Sequence, residues 1–479
     1  MAYKDLQDFI NKLENLNELK RVKVQVDPEL EITEIYDRIV KRSGPALLFE
    51  NVKGSKYPLL INAFGSFKRM SLALGVDELD DIGRRIESML EVPGDMGIFG
   101  KIKQLPRLFE MANCFPKRVN SAPCQEVIED DVDLFLLPVL KCWPGDGGKF
   151  LTLPLVITKD IDSGMQNMGM YRLQIYDKTT TGMHWHMHKD GAENFKKSKD
   201  RMRRMEVAVA LGCDPATIYA ATAPLPRGIS EFLFAGFLRN KPIELVKCKT
   251  IDLEVPANAE FILEGYVDLD EKRIEGPFGD HTGYYSLSDY YPVFHVEAIT
   301  RRKNPVYIAT VVGKPPMEDC YLAKATERIF LPILKLMHPE IVDINLPLEG
   351  VFHNCIIISI KKSYPGHAKK MMNSIWGMGQ MMFTKLIIIV DGDVSPQDLS
   401  TVAWKVFNNI DARRDIVLMD GPLDALDHSS ALPFYGCKMG IDATKKMPSE
   451  GHNREWPDDI VMTDVIKKLV DEKWDSYGV

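Results

Sequence analysis

The chain has 479 residues, enough for about three domains at ~150 residues each. Hydrophobic residues make up 45% and charged residues 27%, which excludes disorder, collagen and coiled coil as the main architecture. A net charge of −8 and a pI near 5.8 exclude a general nucleic-acid binder, which needs Lys and Arg to neutralise phosphates.

Leu6, Phe9, Ile10 and Leu13 recur at helical spacing and predict a helix over Tyr3–Leu16. Arg21–Val26 alternates as a half-buried strand. Glu29–Lys41 reads as a helix stopped by Ser43-Gly44-Pro45, and Ala46–Phe49 and Leu59–Asn62 read as strands. A helix and linker run from Pro106 to about Pro116. From Lys117 short strand-like segments recur: Leu151–Thr158, Asn167–Tyr176, Met183–Lys189, Ile243–Leu253, Phe261–Val267, Val293–Arg301 and Val306–Val312. One helix, Phe195–Glu206, interrupts them. Many strands at short spacing predict a barrel or sandwich. After Pro315 the order is strand Cys355–Ile360, helix His367–Met382, strand Leu386–Val390, helix Ser400–Asn408 and strand Ile416–Met419. That is βαβαβ, expected to form a parallel sheet. Asp458–Trp474 reads as a final helix that could dock on a neighbour. The expected fold is mixed α/β and β: an N-terminal α/β domain (1–116), a central β domain (117–315), a C-terminal α/β domain (316–457) and a terminal helix (458–479).

Eight cysteines are scattered without a CxxC pair, which fits reduced thiols and a cytoplasmic protein. The charged start does not read as a signal peptide, and no apolar run approaches the ~18–20 residues of a membrane helix.

Four constellations could carry chemistry. Asn167-Met-Gly-Met-Tyr-Arg172 and Met183-His-Trp-His-Met-His188 flank a turn-rich stretch and predict a hairpin. In a strand His184, His186 and His188 would share one face, suited to a metal or phosphate, or simply to solvent. Asn167 and Arg172 differ in parity and would face opposite ways unless a bulge intervenes. Glu275-Gly-Pro-Phe-Gly-Asp280-His281 gathers titratable groups in a rigid loop, which is either a proton-transfer device or a solvated turn. Glu231 opens an apolar helix, where the dipole favours it; it could also ligate a hard cation. Lys385 precedes a buried strand and is either solvated or a phosphate contact. Trp376-Gly-Met-Gly379 lies in a helical stretch and fails the dinucleotide-binding context.

Taken in order, these segments resemble the UbiD family of prenylated-FMN-dependent decarboxylases, over nearly the whole chain. The matching stretches are Asn-Met-Gly-Met-Tyr-Arg (167–172), Val-Ala-Leu-Gly-Cys-Asp-Pro-Ala (209–216), Ser230-Glu231, Val-Lys-Cys (246–248), Leu-Glu-Val-Pro-Ala (253–257), Glu-Gly-Pro-Phe-Gly-Asp-His-Thr-Gly-Tyr-Tyr (275–285) and Lys385. Leu-Glu-Ile-Thr-Glu-Ile (30–35) and Gly-Pro-Ala-Leu-Leu-Phe-Glu-Asn (44–51) look like the quinone-biosynthesis branch. The resemblance implies a central split β-barrel that binds the flavin between two α/β domains.

It also implies that Asn167, His188 and Glu231 hold a divalent cation such as Mn2+, with K+ nearby. Lys385 would contact the flavin phosphate, and Met170, Tyr171, Arg172, His184, Trp185, His186 and Lys189 would line the cofactor. Arg172, Glu275 and Asp280 look like the family's catalytic trio. Arg172 would grip the substrate carboxylate, and Asp280, its pKa raised in a dry pocket, would return a proton to the ring carbon. The stretch Thr180-Thr-Gly-Met-His-Trp-His-Met-His-Lys-Asp-Gly191 looks more like the menaquinone branch, which acts on a naphthoate-type acid. Ubiquinone-branch members, which act on a polyprenyl-hydroxybenzoate, read Arg-Trp-Leu-x-His-Arg-Gly over 184–190. Another aromatic acid, or a non-catalytic flavin- or metal-binding subunit, are the competing readings. Implied partners are a separate flavin prenyltransferase and further copies of the chain, hexamers in many members. Greasy quinone precursors would suit peripheral contact with a membrane.

Overall fold

The structure, a computed structural model, describes residues 2–90, 114–185, 195–198, 204–226 and 228–478. Residues 106–113 of the helix and linker expected before Pro116, and His186, His188 and Lys189, lie outside these ranges.

The first helix, Leu6–Asn15, is capped by Asp5 and buries the four predicted apolar residues. The strands Leu19–Val22, Ala46–Phe49 and Leu59–Ile61 form a sheet whose fourth strand, Tyr307–Ile308, comes from much later in the chain. Helices Phe67–Leu74 and Asp80–Leu90 follow, and both pack on the long helix Glu318–Met337.

The centre is a seven-stranded antiparallel sheet. Its order is Thr180–Gly182, Asp289–Arg301, Phe261–Glu275, Arg204–Leu211, Leu155–Lys159, Gln166–Met170, with Val127–Glu129 also paired to Asp289–Arg301. Among the described residues the sheet stays open and does not close into a barrel. Alternation along its strands feeds two cores. Ala208, Ala210 and Ile262 pack on one face with helices Pro215–Ala220 and Glu231–Arg239. Val207, Val209, Leu211 and Phe261 pack on the other against Ile32, Tyr36 and Leu59.

The C-terminal sheet runs Ile341–Asn345, Cys355–Ile360, Leu386–Asp391, Tyr435–Asp442, Ile416–Pro422. Its three inner strands are parallel, but both edges are antiparallel, which corrects the all-parallel expectation. Ile416–Pro422 lies on the edge because the chain turns back through a hairpin and Tyr435–Asp442 takes the inner place.

Other expectations shift too. The helix expected over Phe195–Glu206 is helical at 195–198, and from Arg204 the chain is a strand of the central sheet. Residues 183–185 are not in a strand, so His184 does not belong to the three-histidine strand face. Helix His367–Trp376 ends at Gly377, and Gly377–Gly379 lie beyond it rather than within it. The final helix, Asp464–Lys473, buries no side chain. Among the described residues no helix is long and apolar enough to cross a membrane.

Candidate active site

Ladder pairing by the strand Gln166–Met170 stops at Tyr171 and Arg172. It resumes at Leu173–Gln174 with a different partner, Phe150–Leu151. This interruption resolves the parity problem, because Asn167 and Arg172 serve two separate groups.

Arg172 anchors the first group. Its Nε and Nη2 donate to Oε1 of Glu275 at 2.9 and 2.8 Å, and its Nη1 donates to Oδ2 of Asp280. Nη2 also donates to Ser286 Oγ at 3.3 Å, so four donor contacts are in use. The guanidinium lies 4.8 Å from the centroid of the Phe278 ring, a cation–π distance. Glu275 is the last residue of the long strand Phe261–Glu275, opposite Asp289, and Asp280 follows in the turn closed by Gly283 N–H on Asp280 O. The three side chains are 11%, 2% and 8% exposed, so the charges interact with little screening. His184 brings Nδ1 to 2.8 Å from Glu275 Oε1 and lays its ring 4.2 Å from that of Tyr291.

The sequence led us to expect a raised pKa at Asp280, and the structure reverses this. Burial does push the carboxyl up, but Arg172 and the His281 side chain and N–H, all bonded to it, hold it well below the usual carboxylate range. Glu275 is likewise held down, with burial outweighed by His184 and Arg172. Burial, then the Glu275 charge, push Tyr291 up to about 12, so its phenol stays protonated.

Two glycines let the backbone cross here. A methyl on Gly147 would sit 2.5 Å from the Cα of Gly276, and one on Gly276 would sit 2.6 Å from the Cα of Gly147. Gln174 pins the crossing, donating to Gly147 O and accepting from Gly276 N–H. Gly147→Ala is expected to cost about 1–3 kcal/mol as an overpacking change and to displace Glu275. A thermal melt lowered by several degrees, together with lost turnover, would register it; an unchanged melt would refute the crossing.

Asn167 and Glu231 form the second group. Glu231 opens helix Glu231–Arg239 behind Ser230, whose Oγ accepts from Phe232 N–H. Its two oxygens accept from Asn167 Nδ2 and Met168 N–H, both at 3.1 Å. Two of the three expected cation ligands therefore stand together, and His188 lies outside the described residues. Among the described residues no three His, Cys, Asp or Glu are gathered closely enough to hold a metal. The donor chemistry does fit: an amide oxygen and a carboxylate suit a hard or borderline cation.

Several expected cofactor contacts border these groups. Met170 donates its N–H to Ala221 O, and the Tyr171 ring lies over Gly169, where a methyl would sit 2.6 Å from the Tyr171 hydroxyl. Trp185 is buried beside Phe195, their rings 5.4 Å apart. Its indole N–H and Oε2 of Glu275 are buried polar atoms with no hydrogen-bond partner among the described residues. Such atoms need a partner, and a bound planar ligand and its substrate would supply one.

Lys385 stands apart from these groups. Its ammonium meets Asp427 Oδ2 and Ser429 Oγ, both at 2.5 Å, and not the groups around Arg172 or Glu231. The same loop still touches the site, because the His428 ring lies 4.0 Å from Tyr284. The sequence reading missed Ser286, Phe278, Tyr291 and Gln174 as supporting residues. Phe278 lay inside the quoted 275–285 segment and Ser286 one position past it. Gln174 carried no signal beyond lying on the expected strand Asn167–Tyr176, and Tyr291 falls two residues before the expected strand Val293–Arg301, in the part by which the observed strand is longer.

Three family models match: the N-terminal domain of 3-octaprenyl-4-hydroxybenzoate carboxy-lyase at 10–86, its Rift-related domain at 117–315 and its C-terminal domain at 320–443. A protein of Archaeoglobus fulgidus is 55% identical over 478 residues, 99% of each chain. Vanillic acid decarboxylase of Sedimentibacter hydroxybenzoicus in its closed form superposes with a TM-score of 0.86 at 29% identity, covering 100% and 99% of the two chains. HmfF of Pelotomaculum thermopropionicum, a UbiD-class enzyme in complex with FMN, gives 0.80 at 29% over 98% and 99%. An evolved dimeric form of HmfF in complex with prFMN gives 0.79 at 27% over the same shares.

Proposed function

The chain belongs to the UbiD family of carboxy-lyases, and from that premise we propose that it decarboxylates a naphthoate-type quinone precursor with the help of prenylated FMN. The observation that carries the reading is the buried Arg172 shared between Glu275 and Asp280. The wording of residues 180–191 supports the naphthoate over the hydroxybenzoate.

The flavin, when bound, supplies the electron sink for the pair released as carbon dioxide departs. Met170, Tyr171, His184 and Trp185 would line it, and Asn167, Glu231 and His188 would hold the cation that accompanies it. Lys385, held by Asp427 and Ser429, would turn its third N–H to the flavin phosphate. The substrate carboxylate competes for Arg172. With four of the five guanidinium N–H donors already in use, a bidentate grip displaces one contact; release of Asp280 leaves Glu275 and Ser286 in place on Arg172. Glu275 and His184 keep Arg172 oriented meanwhile. Asp280, freed from the positive charge, becomes basic enough to carry a proton and pass it to the ring carbon.

Assembly with further copies and supply of the cofactor by a separate prenyltransferase complete the reading. The final helix, which leaves Val465, Ile466 and Leu469 exposed, supports assembly.

The test is oxygen-free co-expression with a flavin prenyltransferase, mass spectrometry of the released small molecules, and turnover of a dihydroxynaphthoate against a polyprenyl-hydroxybenzoate at matched cofactor loading. Near-stoichiometric prenylated FMN with naphthoate turnover supports the proposal; turnover of the benzoate alone overturns the substrate. Glu231→Gln is expected to lower bound metal at least ~10-fold, since even changing a residue that only hydrogen-bonds a metal ligand costs that much. Elemental analysis of the purified variant checks it, and full metal content would remove Glu231 from the ligand set.

A further inference from the structure

Asp280 is bonded on both sides. Oδ2 takes Arg172, and Oδ1 takes both the N–H and the Nδ1 of His281, at 2.7 and 2.8 Å. His281 is 15% exposed in its side chain, and its Nε2 is buried with no hydrogen-bond partner among the described residues. Residues far along the chain hold the ring in place. Phe352 stacks on it at 4.6 Å, and His353 meets it edge-on at 5.3 Å, its own Nε2 buried with no hydrogen-bond partner among the described residues. Val351 and Phe352 both adopt left-handed backbone, φ 42° and 54°, unusual for a branched and an aromatic side chain. Such strain persists only where the surroundings enforce it, and here it delivers Phe352 and His353 to His281.

We propose that His281 is the proton store behind Asp280, charging that carboxylate when the substrate takes its place on Arg172. The inference rests on the decarboxylation proposed above and deepens it. The balance is complete. The substrate carboxylate leaves as carbon dioxide, the Asp280 proton forms the new C–H bond, His281 reprotonates Asp280, and water reprotonates His281. One proton is consumed per turnover.

The charge on His281 is set by every element packed against it. Asp280 faces it from its own turn, with Arg172 beyond. Asp319 faces it from the start of helix Glu318–Met337, Asp424 from the loop after strand Ile416–Pro422, and His353 from the 351–353 loop. Burial opposes the charge, but Asp280 and then Asp319 and Asp424 outweigh it and raise His281. His353, buried beside that cation, is pushed down to about 4 and stays neutral. As a group acting through another, His281 is a positioning residue.

The discriminating variant is His281→Asn, whose amide N–H occupies the place of Nδ1 and can still hold Asp280 but cannot store a proton. In the loaded enzyme kcat is expected to fall roughly 10²-fold with KM changed less than about threefold, and the basic limb of its pH profile to disappear. Bound flavin should be unchanged. Independently, NMR of 13C-histidine-labelled protein should show the resonance lost in His281→Asn titrating above 6.5 in the wild type and lower in Asp280→Asn. Wild-type kcat and pH profile in His281→Asn, or a resonance unmoved by Asp280→Asn, would overturn the proposal. His281→Gln stands in if the asparagine variant fails to fold. A wild type that turns over no aromatic acid would defeat the decarboxylation itself and leave the titration to decide the charge on His281.

Discussion

Asp280→Asn is expected to abolish decarboxylation, with a loss of at least ~10³-fold in kcat, while bound cofactor stays at wild-type level. Asparagine keeps the shape, and its single amide oxygen can still accept from Arg172 or from His281, but it cannot carry a proton to carbon. Its geometry therefore isolates the proton step. Substantial turnover in the variant would remove Asp280 from that step. The variant also has a stability signature. Asp280 is held below its ordinary value, so the stability it contributes is full above the unfolded carboxyl pKa, near 4, and is lost as pH falls through the lower folded value. His281 is raised, so its contribution is full below about 6.5 and fades as pH rises through the higher folded value. The gap in melting temperature between wild type and variant should therefore be widest between about pH 4 and 6.5 and narrow on both sides. A gap independent of pH would show that the pair is not charged as described.

Arg172→Lys is expected to cost on the order of 10²-fold in kcat/KM with the fold retained. Lysine keeps the charge between Glu275 and Asp280, so neither buried carboxylate is abandoned. It loses the planar fork that reaches Glu275 twice, Asp280 and Ser286 at once. Arg172→Met should behave differently, because both acids lose their counter-charge; breaking such a buried pair costs about 3–5 kcal/mol. Parallel melts and steady-state kinetics separate the two. If lysine serves as well as arginine, substrate orientation does not come from the guanidinium.

The sequence was most legible where periodicity and burial agreed. Leu6, Phe9, Ile10 and Leu13 predicted the first helix, and the run at 386–390 predicted a strand buried on both faces. Helix Glu318–Met337 escaped notice because it is buried on most sides, carries the internal pair Lys324–Glu327 and contains Pro332, so no apolar stripe stands out. Strand Tyr435–Asp442 was hidden by its lysine and two glycines. At the site, the meeting of Arg172 with Glu275 and Asp280 was read from the family resemblance. The ionisation of Asp280 was misread because a dry pocket says nothing about the two cations inside it. Phe352 and His353 reach His281 across about seventy residues of intervening chain, a contact no local pattern encodes.

The early strand sheet is finished by Tyr307–Ile308, and the Phe64 N–H is held by Glu318, a partner 254 residues away. This has a consequence for synthesis on the ribosome. At ~5–20 residues per second, the first ninety residues wait roughly 10–50 s for the segments that complete them. Their apolar strand edge is open throughout that interval, a natural client for a chaperone. A fragment ending before residue 307 should accordingly aggregate on its own and be rescued by adding the remainder of the chain.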